Sequence, residues 1–507
     1  MINFKSLKMK RISLIILSAF LIWSCDDQLD LSPISDAGSN GFYQNENDFT
    51  QAVNGIYATM QYLPDRYIDL DGVRSDNIYA AGQAGVRDWN AINNFLPTIA
   101  TLTTVRDAWN ITYQGIMRAN TVLDQLEANP GAVTDAGLRA RFQGEAHFLR
   151  GLFYFDLVKW FGKVPIFDTF KTPEEALNIG RSPVEEVYSL IIADLEFAID
   201  NLPEAYTGAN AGRATSLAAK GILARVYMTR SGPKLHPEGP CLGTNEYDKA
   251  LGLLNDIIGS GRFSMLNSYA AIFDYANEGN AEIVWDLQYI GGGVGAGALY
   301  PTGYYDEGWG RVNLPFPGGN PGDGSKRVSD DLMNLYEPGD TRRAVTVLEG
   351  YTDAAGATVD GRFFYKFINP DKAGGDRFDW PINYPMIRYT DVLMLKAECI
   401  LQGAGGSQGD VDQIVNDVRA RAGLGPVSNV TLDMLLAERR VEFAGENLRW
   451  DDLVRTGKAP DVMNAFISKE DNLDKMEPVT ANSLIYPVPQ IQIDVKKGLY
   501  DQNPGYN

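Results

Sequence analysis

Histidine and cysteine are nearly absent from this chain. Of 507 residues, two are histidines (His147 and His236) and three are cysteines (Cys25, Cys241 and Cys399). Metal centres built on several histidines are nearly excluded, and a histidine-based triad has few candidates. A disulfide-dense scaffold is excluded too. Positive charge is in deficit, with 45 Lys and Arg against 65 Asp and Glu, a formal net charge of −20. Binding phosphates needs clustered Lys and Arg, so nucleic acid is not the expected partner. After residue 23 no apolar run is long enough to span a bilayer. What the chain does have is 45% hydrophobic residues and 51 glycines, enough for a large packed core with irregular segments.

The N-terminus sets the compartment. Lys5, Lys8, Lys10 and Arg11 precede a mostly apolar run over residues 12–23, followed by Ser24-Cys25. The run suits a signal-peptide core and is too short for a mature membrane helix. Leu21-Ile22-Trp23-Ser24-Cys25 resembles a bacterial lipobox, although Trp23 stands where a small residue is commoner. Residues 1–24 are read as a signal peptide and Cys25 as the lipidation site. Residues 25–41 are read as a polar tether, with Asp26-Asp27 resembling the acidic export signal of surface lipoproteins. Removing the four positive charges of residues 1–24 leaves the mature chain at about −24.

Helical periodicity predicts helices over 105–129, from a Thr134 cap to about Phe161, from Ser182-Pro183 onward, and over 215–230 and 247–259. The third opens with Pro in its first turn and Glu185-Glu186 at its positive end. From residue 263 the texture changes to a strand over 281–290 and then Gly- and Pro-rich loops with short strands through 311–385. Helices return over 390–402, 411–421 and 432–446, and the tail from Leu484 reads as extended. The expected fold is mainly α: a tetratricopeptide-like scaffold of helical pairs with an irregular, loop-rich lobe and short strands. Residues 42–262 form the N-terminal scaffold, and 263–507 hold the lobe and the returning helices.

Three motifs invite chemistry. Residues 291–298 carry a partial dinucleotide fingerprint, but Tyr300-Pro301-Thr302-Gly303 follows instead of a helix N-terminus, so a loop is the better reading. Glu438, Glu442 and Glu446 share a helical face, as a glycosidase pair could, yet Arg439, Arg440, Arg449 and Arg455 crowd the same segment. An ion-pair network bracing helices is expected there, with no catalytic residue, metal or cofactor. His147 and Cys399 read as packed scaffold residues, while Cys241 and Cys399 would pair only if the fold brought them together. Trp89 and the cluster Tyr300, Tyr304, Tyr305 and Trp309 lie on Gly-rich or polar segments, where flat rings can stack on sugars.

Several ordered segments resemble the SusD/RagB family of outer-membrane nutrient-binding lipoproteins. Gly144-Glu145-Ala146-His147-Phe148-Leu149-Arg150-Gly151 continues through Phe153-Tyr154-Phe155 to Phe161-Gly162-Lys163-Val164-Pro165. Arg213-Ala214-Thr215-Ser216-Leu217-Ala218-Ala219-Lys220-Gly221 follows, then Ile387-Arg388-Tyr389-Thr390-Asp391. Glu438-Arg439-Arg440, Glu442-Phe443, Arg449-Trp450-Asp451-Asp452-Leu453 and Gln502-Asn503-Pro504-Gly505-Tyr506 complete the set. Gly151 stands where Ala is usual, and Ala444-Gly445-Glu446-Asn447 replaces a commoner Phe-Glu-Gly run.

The resemblance implies a lipid-anchored, surface-exposed protein of the outer membrane that captures glycans for a SusC-like TonB-dependent transporter. Family binding sites lie in variable loops after the first helix and in the irregular lobe. Here those regions hold Asp76, Arg87, Trp89, Asn90 and Asn94, then Tyr300, Tyr304, Tyr305 and Trp309. A peptide-binding member of the same scaffold and a surface glycoside hydrolase are the alternatives. Between Tyr289 and Pro321 only Arg311 is basic, so a neutral oligo- or polysaccharide is the expected ligand.

Overall fold

The computed structural model describes residues 41–80, 87–316 and 326–506. The signal peptide, Cys25 and the tether up to residue 40 lie outside the described residues. The longer helices are α1 (Glu46–Met60), α2 (Thr103–Ala128), α3 (Ala136–Phe161), α4 (Val184–Asn201), α5 (Ser216–Ser231) and α6 (Tyr247–Gly259). After the lobe come α7 (Tyr389–Leu401), α8 (Gln408–Arg421), α9 (Leu432–Glu442) and α10 (Ala459–Glu470).

Local chemistry sets the boundaries. Asp135, not Thr134, caps α3, its side chain accepting from the Leu138 amide at 2.7 Å. The helix stops at Gly162, whose φ is +68° and whose absent Cβ would lie 2.0 Å from the Glu238 carbonyl oxygen. Thr215 caps α5 through the Ala218 amide, and Pro183 precedes the first residue of α4. Along α3 the helically spaced Phe142, Ala146, Leu149, Phe153 and Leu157 are buried and Leu138 is half-buried, but Phe148, Tyr154, Phe155 and Trp160 are buried too. A helix apolar all round is one enclosed by neighbours, and α3 packs between α2 and α4.

Each helix from α1 to α8 packs on the next in sequence. Because α6 packs directly on α7, the intervening residues 260–388 are an insertion between two stacked helices. Strand β1 (Ile283–Leu287), near the start of this lobe, pairs antiparallel with β4 (Tyr384–Arg388) at its end, Ile283 opposite Arg388. Between them β2 (Val347–Thr352) and β3 (Thr358–Phe364) form an antiparallel hairpin. Strand β4 lies on the small-residue face of α5, where a Cβ on Gly221 would come 2.7 Å from Ile387. The tail is not wholly extended: Gln490–Val495 is helical. Further on, Asn503 donates to the carbonyls of Phe161 and Tyr486. Cys241 and Cys399 are buried free thiols.

Buried charge joins lobe to helices. Arg388, at the end of β4, bonds Glu282 at 2.6 Å, Glu442 at 3.1 Å and Glu446 at 2.8 Å. Arg421 joins Glu282 and Glu442, Lys366 joins Glu446, and Arg342 joins Asp340, Glu438 and Glu442. A second group links Arg439 to Asp391 and Asp452, and Arg455 to Glu398 and Asp452. The three glutamates of the α9 segment are therefore engaged as braces. Burial alone would push the Glu442 carboxyl up, but Arg421, Arg388 and Arg342 outweigh it and hold it at about 2.

Glu442→Gln leaves the guanidiniums of Arg388 and Arg421 short of a counter-charge, a class of change that costs about 3–5 kcal/mol. Because the native pKa lies below the ordinary carboxylate value, this stabilisation is complete above about pH 4.5 and is lost as pH falls toward 2. Denaturation midpoints of wild type and Glu442→Gln, measured across pH, should be far apart at neutral pH and converge toward pH 2. A constant gap over that range would mean that the Glu442 charge is not what stabilises the node.

Candidate functional site

The structure places the sequence-predicted residues unevenly. Trp89, Tyr300, Tyr304, Tyr305 and Trp309 are between 0% and 4% exposed, so none presents a ring face to solvent. Trp89 is buried on the short helix Asp88–Asn93, and the other four fill the lobe's interior: Trp309 packs on Phe363 and Tyr365, and Tyr304 packs on Phe364. Tyr300 donates to the Asn383 carbonyl at 2.9 Å and Tyr304 to the Gly445 carbonyl at 2.6 Å. The expected sugar platform is corrected accordingly, because all five rings are buried and the four Tyr and Trp rings of residues 300–309 are the lobe's core.

Asp76 is likewise a brace. Arg449 holds both of its oxygens at 2.9 Å and Arg440 lies 3.3 Å away. Burial opposes its charge, yet the two guanidiniums hold its carboxyl at about 2. Asn90 donates to the Ala80 carbonyl, and the buried Asn94 donates to Asn90. These two shape the segment after residue 73 from within. Arg87 differs, being exposed at the start of a short helix, Asp88–Asn93.

Arg87 opens onto a cleft of about 190 Å³ where scaffold meets lobe. One wall comes from Asp65 and Arg66 on the short helix Leu63–Arg66, and from Ile68 and Asp69 on the π-helical turn Tyr67–Gly72. The opposite wall is Leu299, Thr302 and Gly303 with Lys326, Arg377 and Phe378. The wide turn divides its side chains between two environments. Asp69 faces Lys326 at 2.8 Å, whereas Tyr67 and Asp71 bond inward to Asp156 and Trp160. Such π-turns recur at functional sites.

Two exposed aromatics belong to this region, and sequence reasoning missed both. Tyr62, which opens the helix carrying Asp65 and Arg66, is 61% exposed, and Phe378 in the cleft wall is 50% exposed. The Arg377 guanidinium lies 4.7 Å from the Phe378 ring centroid. The Gly-rich run explains how Phe378 is held. A Cβ on Gly297 would come within 2.6 Å of the Phe378 carbonyl oxygen, and the Gly293 amide donates to Asp379 at 2.9 Å. Residues 291–297 thus pack backbone against backbone, and a single 3-10 turn (Tyr300–Gly303) follows instead of a phosphate-binding helix. Phe378 sits in the polar loop Gly374-Gly375-Asp376-Arg377, the same signal that singled out Tyr300 to Trp309.

One carboxylate pair stands apart from the braces. Asp286 and Glu278 line a separate cleft of about 470 Å³ with Arg213, Arg262 and Trp285. Asn383 bridges them, its amide N–H donating to Glu278 at 2.6 Å and its side chain to Asp286 at 3.1 Å. Burial pushes Asp286 up to about 6. Partial desolvation and the Asp286 charge push Glu278 up to about 7. Among the described residues there is no cluster of three or more His, Cys, Asp or Glu suited to a metal ion, and no helix long and apolar enough to cross a membrane.

Two family models match consecutive parts of the chain. One, described as starch-binding and associating with the outer membrane, covers residues 27–228, and the SusD family model covers residues 282–506. A SusD-like protein of Bacteroides ovatus is 27% identical over 467 residues, covering 86% of this chain and 80% of its own length. The starch-binding protein SusD of Bacteroides thetaiotaomicron is 25% identical, with 96% of each chain aligned. Among solved structures, a laminarin-binding SusD-like protein superposes with a TM-score of 0.73 at 26% identity, over 92% of this chain and all of its own. The ordered motifs, the stacked helices with their inserted lobe, and these matches agree: the chain belongs to the SusD/RagB family.

Proposed function

We propose that this protein is a non-catalytic, surface glycan-binding lipoprotein, holding a saccharide at the cleft between the π-turn and the lobe. In this reading it is anchored to the outer membrane through Cys25 and passes its ligand to a SusC-like TonB-dependent transporter. The observation that carries the reading is an exposed aromatic face, Phe378, in the wall of a cleft rich in hydrogen-bonding side chains, with the exposed Tyr62 at the start of the short helix that supplies Asp65 and Arg66. An apolar sugar face stacks on a ring while the hydroxyls meet polar groups. Relatives named for laminarin and starch binding support a glycan as the ligand class.

Isothermal titration with laminari-, malto- and uronate oligosaccharides tests the site. Phe378→Ala and Tyr62→Ala should each weaken binding several-fold, since an aromatic stack contributes on the order of 1 kcal/mol beyond area burial. Both should leave the melting temperature nearly unchanged, because both rings are exposed. Trp309→Ala should do the reverse to stability, lowering it by about 3–5 kcal/mol as a core truncation. Undiminished binding in both exposed-ring variants would remove the cleft from consideration.

The non-catalytic reading is tested on the Glu278–Asp286 pair. Incubation with a bound oligosaccharide should give no shorter products, and Asp286→Asn should change nothing in that assay. Turnover abolished by Asp286→Asn would make the protein a hydrolase. Anchoring is tested separately: Cys25→Ala should release folded protein from membranes or leave an unprocessed precursor, because acyl chains contribute about 0.8 kcal/mol per buried methylene. A variant as membrane-bound as wild type would refute the lipid anchor.

A further inference from the structure

We infer that the helical scaffold carries a second binding site, for a neutral saccharide, in a cleft between α2 and the C-terminal tail. This cleft shares no lining residue with the one at the lobe. It takes from the reading above only the general class of ligand.

The cleft measures about 570 Å³, inside the range of about 300–1,000 Å³ usual for ligand pockets. Helical spacing sets Trp109, Tyr113 and Met117 of α2 in one row, with Asn110 and Gln114 beside them. A second wall is the stretch from Pro165 to Leu177, with Phe167, and the third is the tail, with Gln492, Val495 and Tyr500. The walls are tied together. The Tyr113 hydroxyl donates to the Pro165 carbonyl at 2.8 Å, and the Lys496 Nζ donates to the Leu177 carbonyl at 2.7 Å. None of the three stretches borders an undescribed one.

The chemistry of the lining points to the ligand. In a chain that is 22% charged, no Asp, Glu, Lys or Arg is among the described residues that line this cleft. Arg181, whose charge acts on Tyr113 and Tyr500, is already paired with Asp501 at 2.7 Å. Four rings follow one another: Tyr500, Trp109, Tyr113 and Phe167, with successive centroids 6.3, 5.1 and 5.5 Å apart. Trp109 is buried beneath the other three, which are half-buried. Gln492 donates to the Asn110 Oδ1 at 3.1 Å. The Asn110 N–H groups and the Gln114 amide have no other partner among the described residues. An amide both donates and accepts, as sugar hydroxyls do, while the apolar face of a sugar stacks on a ring. A charged sugar finds no counter-charge in this lining. An apolar protein face laid over it would strip water from the amides without replacing their hydrogen bonds.

Met117 is 47% exposed in the wall and reports on occupancy without mutation, because peroxide converts an accessible thioether to the sulfoxide. Met434, 37% exposed on α9, is the internal control. Saturating laminariheptaose or maltoheptaose should slow Met117 oxidation several-fold, read by mass spectrometry, and leave Met434 unchanged. Gln114→Ala, at an exposed position, and Tyr500→Ala should each weaken that protection, with melting curves confirming folded variants. Phe378→Ala should leave it intact, so that failure of the lobe cleft and failure of this site are read separately. Unchanged Met117 oxidation with both saccharides, while calorimetry still detects Phe378-dependent binding, would overturn the second site and leave the first. Protection by trigalacturonate as strong as by the neutral chains would overturn the neutral assignment. Protection by a tryptic casein digest and by neither saccharide would make the cleft a peptide groove and overturn the inference.

Discussion

One buried guanidinium fixes the relation between the two parts of the molecule. Arg388 ends the strand that closes the lobe, and its three carboxylate partners come from the lobe's entry (Glu282), from α9 (Glu442) and from the turn beyond it (Glu446). Isolated buried pairs give little net stability, because desolvation offsets attraction. A node shared among three acids and three further cations, Arg421, Lys366 and Arg342, is different in kind. No member can leave without stranding the rest, so the node specifies one geometry more than it adds net energy. The node ties the exit of the lobe, at the end of β4, to its entry beside β1 and to α9.

The helical scaffold was legible because its signals are local. Caps such as Thr215, the Pro183 start and the helical spacing of apolar residues such as Phe142, Ala146, Leu149 and Phe153 act within a few residues, and they placed α2 to α6 within a few positions. The ordered motifs carried the family for a related reason. Glu438, Arg439, Arg440, Glu442 and Arg449 are bracing charges, and their crowding on one short segment is visible without the fold. The short helix Gln490–Val495 was missed because it has no stripe and no cap beyond the preceding Pro489.

The candidate site was much less legible. The rule that aromatics on glycine-rich segments face outward fails here, because the lobe has few long helices to supply aliphatic filling. Tyr300, Tyr304, Trp309, Phe364 and Phe367 form its core in place of leucines. The same rule applied to Phe378 succeeds, and nothing local separates the two cases. Charge counting has the same limit: residues 289–321 do not include Arg66 or Arg377, which line the cleft from outside that window. Local signals report elements, whereas a binding cleft is a property of contacts between distant ones.

The insertion of the lobe between α6 and α7 has a consequence for how such a protein can change. Its entry and exit strands, β1 and β4, are hydrogen-bonded to each other, so the chain leaves the helical stack and returns through a single closed gate. Segments between residues 291 and 380 can lengthen or shorten without moving either gatepost, and each doubling of a loop costs only about 0.6 kcal/mol in closure entropy. The stack needs to be solved once. Diversification can then proceed inside the gate, where new loops alter what is recognised while the helices around them keep their register.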